Sequence, residues 1–336
     1  MKITIKEVAE RAGVSQSTVS LVLNNKKSVR DSTREKVLQV IREMDFHPRR
    51  SARTLASQKT GNLGFVISEA HFTRAEPFYT RIFLGCEFEA RQFDYYILLT
   101  SVEDTFSTKK LPRFLKEGNV DGVIAAGSMN NRWLYEIRKM GLPVVLIDYY
   151  PPKQKWPCVL IDNAEGAREA VHYLQNLGHK KIAFVGGSIF HPSIQERYRG
   201  YALAMEEAGL DTSRWAIRDE EETRAEDGYR AMQKILSQQE HPTAVFAAND
   251  AMALGVLKAI REKGLKVPED ISVVGFDNIE VTNHTTPPLT TMSVRMEEMG
   301  AKAVAMIHDI IENKKSLQEK ILVPVDLIER ESCRAI

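Results

Sequence analysis

Cysteine is scarce in this chain: Cys86, Cys158 and Cys333 are the only three among 336 residues, and no two form a C-x-x-C pair. That argues against a disulfide framework or a thiolate metal site, and leaves reduced, mostly buried thiols as the expectation. No apolar run approaches the roughly 18 residues that cross a bilayer. The opening residues, Met1-Lys2-Ile3-Thr4-Ile5-Lys6-Glu7, lack the apolar core of a secretory signal, so a cytoplasmic protein with no membrane partner is expected. Catalytic signatures are missing too: there is no G-x-S-x-G elbow, P-loop, H-E-x-x-H or G-x-G-x-x-G, and the eight histidines are dispersed. A protein that is not an enzyme and that carries neither metal nor cofactor is the expectation.

Net charge is also nearly absent, at +1, but it is unevenly spread. Residues 1–60 carry +7 and the remainder −6. A basic end on an acidic body suits a protein that docks one end on phosphates.

The basic end has a pattern. Thr4 followed by Glu7 is a capping box that starts a helix, and Ile5, Val8, Ala9 and Ala12 give that helix one apolar face. Gly13 stops it, because glycine takes positive φ cheaply. Ser15 caps a second helix, whose Val19, Val22 and Leu23 pack back on the first. Asp31 or Ser32 caps a third, lined on its inner side by Val37, Leu38, Val40, Ile41 and Met44. Two short helices joined by a glycine turn and closed by a third make a helix-turn-helix. The second helix would lie in the major groove with Gln16 and Ser17 at base edges, since Gln pairs with adenine and Ser is permissive. Thr18, Ser20, Asn24, Thr33 and Arg34 are placed for phosphates, and Thr4 and Ser15 complete the DNA-facing set at the helix starts.

Residues 49–60 form a basic connector, too short to be a stable helix alone. From Gly61 onward, apolar runs alternate with amphipathic segments. Strands are expected at Leu63–Ile67, Tyr95–Leu99, Gly122–Ala126, Val144–Ile147, Lys181–Val185, Ala244–Ala247 and Ser272–Phe276. Helical patterns separate them, among them Tyr79–Phe93, Lys109–Glu117, Ala164–Leu177, Ile194–Ala208 and Ala251–Lys263. This alternation predicts parallel sheets covered by helices.

The run Ile5-Lys6-Glu7-Val8-Ala9-Glu10-Arg11-Ala12-Gly13-Val14-Ser15, then Thr18-Val19-Ser20 and Asn24, resembles the headpiece of the lac-repressor (LacI/GalR) family. Thr33-Arg34-Glu35-Lys36-Val37, Phe46-His47-Pro48 and Ala52-Arg53-Thr54-Leu55-Ala56 continue the match. Farther on, Ala247-Ala248-Asn249-Asp250-Ala251-Met252-Ala253-Leu254-Gly255, Val274-Gly275-Phe276-Asp277-Asn278 and Pro288-Leu289-Thr290-Thr291 also resemble it. Two departures stand out. Leu21, kept here in the DNA-facing set, replaces a base-reading Arg common in the family, and Arg49 replaces an Asn.

The resemblance implies an α/β protein: an all-α helix-turn-helix headpiece (1–48), a hinge (49–60), and a two-lobed body (61–336) like a type I periplasmic binding protein. Lobe 1 would span about 61–161 and 290–322, and lobe 2 about 162–289 and 323–336, with Pro288–Thr291 carrying the chain back to the first lobe. It also implies a homodimer that represses from a palindromic double-stranded operator under control of a small-molecule effector. On DNA the hinge would fold into a helix in the minor groove. Leu55 would be its wedge, Ala52 and Ala56 its small flanks, and Arg49, Arg50 and Arg53 its basic contacts. The effector would sit beyond the carboxyl ends of the strands, among Phe78, Tyr79, Asp148, Arg197, Asn249 and Asp277. For Asp148, Asn249 and Asp277 a helix-capping role is the alternative. A sugar or sugar derivative is the first expectation for the effector. A purine or nucleoside, or a constitutive binder with no working pocket, are the alternatives.

Overall fold

The structure is a computed structural model and describes residues 3–23, 28–46, 59–72, 77–151, 155–187, 191–218, 222–313 and 319–336. In the headpiece, α1 (Ile5–Ala12), α2 (Gln16–Leu23) and α3 (Asp31–Glu43) follow one another. The Thr4 N–H donates to Glu7 Oε2 at 2.7 Å, and the Glu7 N–H returns to Thr4 Oγ1 at 3.4 Å, so the capping box forms. Gly13 ends α1 at φ +64°, where its N–H reaches the Ala9 and Glu10 carbonyls. Ser15 Oγ accepts the Thr18 N–H at 3.1 Å and caps α2. Val8, Ala9, Ala12, Val19, Val22, Val37, Val40 and Phe46 close a small core of their own.

Two expectations change here. The N-cap of α3 is Arg30, with no side-chain cap bond; Asp31 is the first helical residue, its carboxylate facing the positive end of the helix dipole. Leu38 is exposed rather than inward. It sits about 100° around the helix from Val37, away from the stripe that Val37, Val40, Ile41 and Met44 make.

The body is a separate unit of the chain. Its first part runs β1 (Asn62–Ser68), α4 (Glu69–Phe72), α5 (Phe78–Gln92), β2 (Tyr96–Val102), α6 (Arg113–Lys116), β3 (Gly122–Ala126), α7 (Asn131–Lys139), β4 (Val144–Ile147) and β5 (Cys158–Ile161). Its second part runs α8 (Asn163–Asn176), β6 (Ile182–Val185), α9 (Pro192–Glu207), β7 (Ala216–Ile217), α10 (Ala225–Leu236), β8 (Ala244–Ala247), α11 (Asp250–Glu262), β9 (Ser272–Asp277) and β10 (Thr290–Val294). After these come α12 (Met296–Asn313), β11 (Lys320–Val323) and β12 (Val325–Ile328). The first sheet has the order β11-β5-β4-β3-β1-β2, the second β12-β10-β9-β8-β6-β7. Strands β3, β4, β5, β6, β8 and β9 are buried along their whole length. Continuous apolar runs such as Val144–Ile147 are what a sheet covered on both faces requires.

The chain passes between the sheets three times: at Asp162 after β5, at Arg295 after β10, and at Pro324 between β11 and β12. The return to the first lobe is therefore not at Pro288–Thr291. Thr290–Val294 pairs with β9 and β12 in the second sheet, and Thr290, Thr291 and Met292 are buried there. The first lobe resumes with α12 and ends at Val323. The second sheet is also mixed, because β12 runs antiparallel to β10. The crossover helix α12 lies tight on α5. A Cβ on Gly85 would stand 2.1 Å from the Glu297 carbonyl oxygen, and one on Gly300 equally close to that of Ile82. Only glycine at both positions lets the two backbones approach so closely. The Arg81 guanidinium grips Glu297 beside the crossing at 2.7 and 3.0 Å.

Candidate functional site

The strand ends converge on a cavity of about 450 Å³. Tyr79 comes from the first turn of α5 and Asp148 from the end of β4. From the second lobe come Arg197 on α9, Asn249 ahead of α11, and Asp277 at the end of β9. Phe78 lines it as well, so all six expected pocket residues border one space.

Their partners differ. Asp148 has φ +57°; its Oδ2 accepts the Tyr79 hydroxyl at 3.0 Å and its Oδ1 the Ser193 hydroxyl at 2.7 Å. Ser193 belongs to α9, so this second bond joins the two lobes. Arg197 is only 4 % exposed. Its Nε donates to Asn163 Oδ1 at 2.8 Å, its Nη1 to the Ala248 carbonyl at 2.6 Å, and its Nη2 lies 3.1 Å from Asp277 Oδ1. The guanidinium carbon stands 3.7 Å from the centre of the Phe276 ring, a cation–π contact. A buried guanidinium with this many acceptors is a fixed part of the wall. Asn249 caps α11: its Oδ1 accepts the Met252 N–H at 2.8 Å, and its Nδ2 donates to the Thr223 carbonyl at 3.1 Å. The capping alternative therefore describes what its amide does. Tyr79 stands edge-on to Phe78 and tilted over His71, with ring centroids 5.0 and 4.9 Å apart. Gly127, at φ +74°, backs this group. A Cβ there would meet both the Tyr79 hydroxyl and His71 Cδ2 at 2.7 Å.

Sequence reasoning missed several neighbours: His71, Asp104, Asn130, Ser193, Glu222 and Thr223 also line the cavity. Ser193, in the first turn of a helix that follows a strand, carried the only usable signal, a hydroxyl at a strand-to-helix junction. Asp250, next to Asn249, lies behind the wall and is wholly buried. Burial, and then the charge of Asp277, push its carboxyl far above the usual range. Tyr149 and Tyr150 line a different, smaller cavity of about 270 Å³, and the Tyr149 hydroxyl donates to Asn131 Oδ1 at 2.7 Å.

In the headpiece, Gln16, Ser17 and Leu21 are exposed on α2, and Thr4 and Ser15 are exposed at the helix starts. The hydroxyls of Ser15, Ser17 and Thr18 hydrogen-bond one another at 2.8 and 2.9 Å. Ser20, Thr33 and Arg34 are half-buried. Asn24, Arg49, Arg50, Ala52, Arg53, Leu55 and Ala56 lie outside the described residues.

Comparison with known proteins settles the class. A family model described as bacterial regulatory proteins, lacI family, matches residues 4–49, and a periplasmic binding protein-like domain matches residues 171–333. The transcriptional repressor PurR of Pasteurella multocida is 34 % identical over 337 residues, covering 99 % of each chain. The chain belongs to the LacI family. It is a ligand-responsive, DNA-binding transcriptional regulator and not an enzyme. The lac repressor dimer bound to operator and the anti-inducer ONPF superposes with a TM-score of 0.81 at 27 % identity, over 100 % of both chains. The regulator CelR in complex with cellobiose gives 0.73 at 29 % identity, over 98 % of this chain and all of that one. Among the described residues, no helix is long and apolar enough to cross a membrane.

Proposed function

We propose that this LacI-family regulator represses transcription as a homodimer on an approximately palindromic operator, and that a small neutral effector between the lobes sets its affinity for DNA. The observation that carries the effector's part is the shared construction of the pocket. Tyr79 and Asp148 come from one lobe, and Ser193, Arg197 and Asp277 from the other. A ligand that touches both sets binds open and closed lobes unequally, and that difference is the free energy available for control. Lobe closure would alter the spacing of the two hinges in the dimer.

The lining indicates the effector's charge. Asp104, Asp148, Glu222 and Asp277 share the lining with one guanidinium, that of Arg197, which is already paired with Asp277. A phosphorylated compound would meet net negative charge, so the effector is unphosphorylated. The full-length similarity to PurR, a purine repressor, supports a purine base or nucleoside. The aromatic wall of Phe78, Tyr79 and His71 supports it too, since a planar ring can stack there. This moves the first choice away from the sugar that the sequence alone favours. A sugar is the second reading, supported by the hydroxyl and carboxylate groups of the lining and by the likeness to CelR with cellobiose.

Dimerisation is supported by an apolar surface on the first lobe. Leu84 and Phe88 are exposed one turn apart on α5, and Tyr96 and Leu99 are exposed on β2, the edge strand of the first sheet. Covering such an edge is a general need of open sheets. In the headpiece, Gln16 and Ser17 would read bases. Thr4, Ser15, Thr18, Ser20, Leu21, Asn24, Thr33 and Arg34 would flank them on each half-site. The hinge, residues 49–60, would add Arg49, Arg50 and Arg53 on the backbone, with Ala52 and Ala56 beside Leu55 in the minor groove.

The deciding experiment uses the full chain and a duplex selected from a random pool. Adenine, hypoxanthine, guanosine, ribose and cellobiose are titrated by calorimetry and then tested for their effect on duplex affinity. A purine or nucleoside that binds and changes that affinity at least about tenfold (roughly 1.4 kcal/mol of coupling) is the expected result. A binding sugar would establish the second reading. No binder and no effect would leave a constitutive DNA-binding protein. Leu55→Gly is expected to weaken duplex affinity about 10- to 100-fold, because without the wedge the bend is lost together with the contacts that offset an unstacking cost of a few kcal/mol per step, with thermal stability of the body unchanged. Unaltered affinity at fixed salt would remove Leu55 from the interface.

A further inference from the structure

Asp277 and Asn278 stand in an unusual turn. Their φ angles are +117° and +57°, in the region that favours glycine, and neither is glycine. Such residues cost about 1–3 kcal/mol each and persist only where their surroundings hold them. The surroundings here are specific. Asp250 Oδ2 accepts the Ile279 N–H at 2.9 Å, one residue past the turn, and Asp250 Oδ1 is hydrogen-bonded to the Thr291 hydroxyl of β10 at 2.6 Å. Gly275 faces the same carboxylate; a Cβ there would stand 2.2 Å from Oδ1. On the turn's other side, Arg330 Nη2 donates to Asn278 Oδ1 at 2.7 Å, and its Nη1 to the Leu289 carbonyl at 2.6 Å. Asn278 Nδ2 reaches Ser293 Oγ at 3.1 Å.

We infer that Asp250, a buried side chain that does not line the pocket, is a positioning residue for effector recognition: it ties the strained Asp277–Asn278 turn to β10 and so aims Asp277 at Arg197. This rests on the reading that Asp277 meets the effector. The role needs a short acceptor at the N-terminus of α11. An amide serves as a protonated carboxyl does: its oxygen accepts the Ile279 N–H, and its NH2, like the carboxyl O–H, donates to Thr291 Oγ1; an alkyl group does neither. It also needs that acceptor to remain neutral. Asp277 faces it from β9, Arg197 from α9 and Arg330 from the segment after β12, and Arg197 is already paired with Asp277. An ionised Asp250 would place a second buried negative charge against Asp277. Burial and Asp277 raise its pKa to about 8, so the carboxyl holds its proton at neutral pH.

The sign of the pH effect follows. A folded-state pKa above the unfolded one means that folding takes up a proton. The contribution to stability is complete below the unfolded value of 3.8 and is lost as pH rises toward about 8. Asp250→Asn carries no proton to lose, so that part of the slope should vanish.

The test uses the full chain in three forms: wild type, Asp250→Asn and Asp250→Ala. Amide hydrogen exchange without ligand is the first readout. In Asp250→Ala, exchange across residues 277–281 should accelerate at least about tenfold, the loss of one buried hydrogen bond worth ~1.4 kcal/mol, while β6 and β8 keep their protection. Asp250→Asn should stay within about twofold of wild type and should flatten the fall in thermal stability between pH 5 and 8. Unchanged exchange in Asp250→Ala overturns the proposal, and so does acceleration spread through the whole second sheet, which would mark a merely structural residue. Calorimetry with guanosine and with cellobiose is the second readout. Affinity lost in Asp250→Ala and kept in Asp250→Asn is expected; affinity kept in both overturns the proposal. If neither compound binds wild type, and adenine, hypoxanthine and ribose do not either, it is the effector reading that has failed, and the exchange result still decides whether Asp250 holds the turn. Should Asp250→Ala not fold, the pH profile of Asp250→Asn decides, and a profile matching wild type counts against the inference.

Discussion

Phe88→Glu is expected to convert the regulator to a monomer and to lower its affinity for a palindromic duplex at least about 100-fold, the scale of advantage that linking two weak sites confers. Phe88 is 56 % exposed on α5, Leu84 lies one turn away, and Tyr96, 64 % exposed, stands on the adjoining edge strand. A two-fold interface uses the same patch on both subunits, so one substitution acts twice. Each Glu removes an apolar side chain worth about 1.5–3 kcal/mol on burial and adds a carboxylate that must be desolvated. The headpiece keeps its own core and folds as before. A monomer then holds one half-site, without the gain that the second half-site supplies once the first is bound. Sedimentation equilibrium and fluorescence anisotropy on the selected duplex measure the two effects. A variant that stays dimeric at micromolar concentration and binds as wild type would move the interface elsewhere.

Asp277→Asn is expected to weaken effector binding by about 100-fold, or roughly 2–3 kcal/mol, as a charge-assisted acceptor is lost from a buried site. The effect has two parts. The effector loses a carboxylate at the end of β9, and Arg197 loses the countercharge 3.1 Å from its Nη2. Removing one member of a buried pair costs about 3–5 kcal/mol in the harshest cases. The isosteric amide reduces this, because it still accepts a hydrogen bond and Arg197 keeps the Asn163 and Ala248 acceptors. Duplex affinity without effector should stay within about threefold of wild type, since the headpiece is untouched. Calorimetry and duplex titration check both halves. A variant that responds to effector at the wild-type concentration would take Asp277 out of the recognition set.

What the sequence made legible follows from length and period. Val144–Ile147, Gly122–Ala126 and Ala244–Ala247 were placed to the residue, because a full apolar run stands between clear breaks. Cys158–Ile161, Lys320–Val323 and Val325–Ile328 were not seen. The last two are mostly exposed or half-buried edge strands that include Lys320 and Asp326, so neither reads as an apolar run, and they abut across Pro324 with opposite lobes as their destinations. Pro288–Thr291 was misread for a related reason: a strand that ends in a crossover looks locally like the crossover itself. In the pocket, Asp148 and Asp277 stand at strand ends, where a polar side chain has few other uses, whereas Arg197, inside α9, could be picked out only through the family resemblance. Ser193 and Asp250 depend on which residues meet across chain separations of 45 and 29 positions, and no local pattern encodes that. Asn249 met both descriptions at once, cap and pocket wall, and only its bonds to Met252 and Thr223 told them apart.

The three passages between the sheets also set an order of events during synthesis. The headpiece helices are adjacent in sequence and close a core with nothing that comes later, so they can fold as soon as they leave the ribosome. Neither lobe has that freedom. The first sheet waits for β11 and the second for β12, and these two strands are translated together as residues 320–328. A growing chain thus carries a DNA-binding end for most of its translation before it owns a finished sensor. A message truncated short of Lys320 would yield that end attached to two sheets with open edges, a species apt to aggregate. Regulation arrives with the last few per cent of the polypeptide.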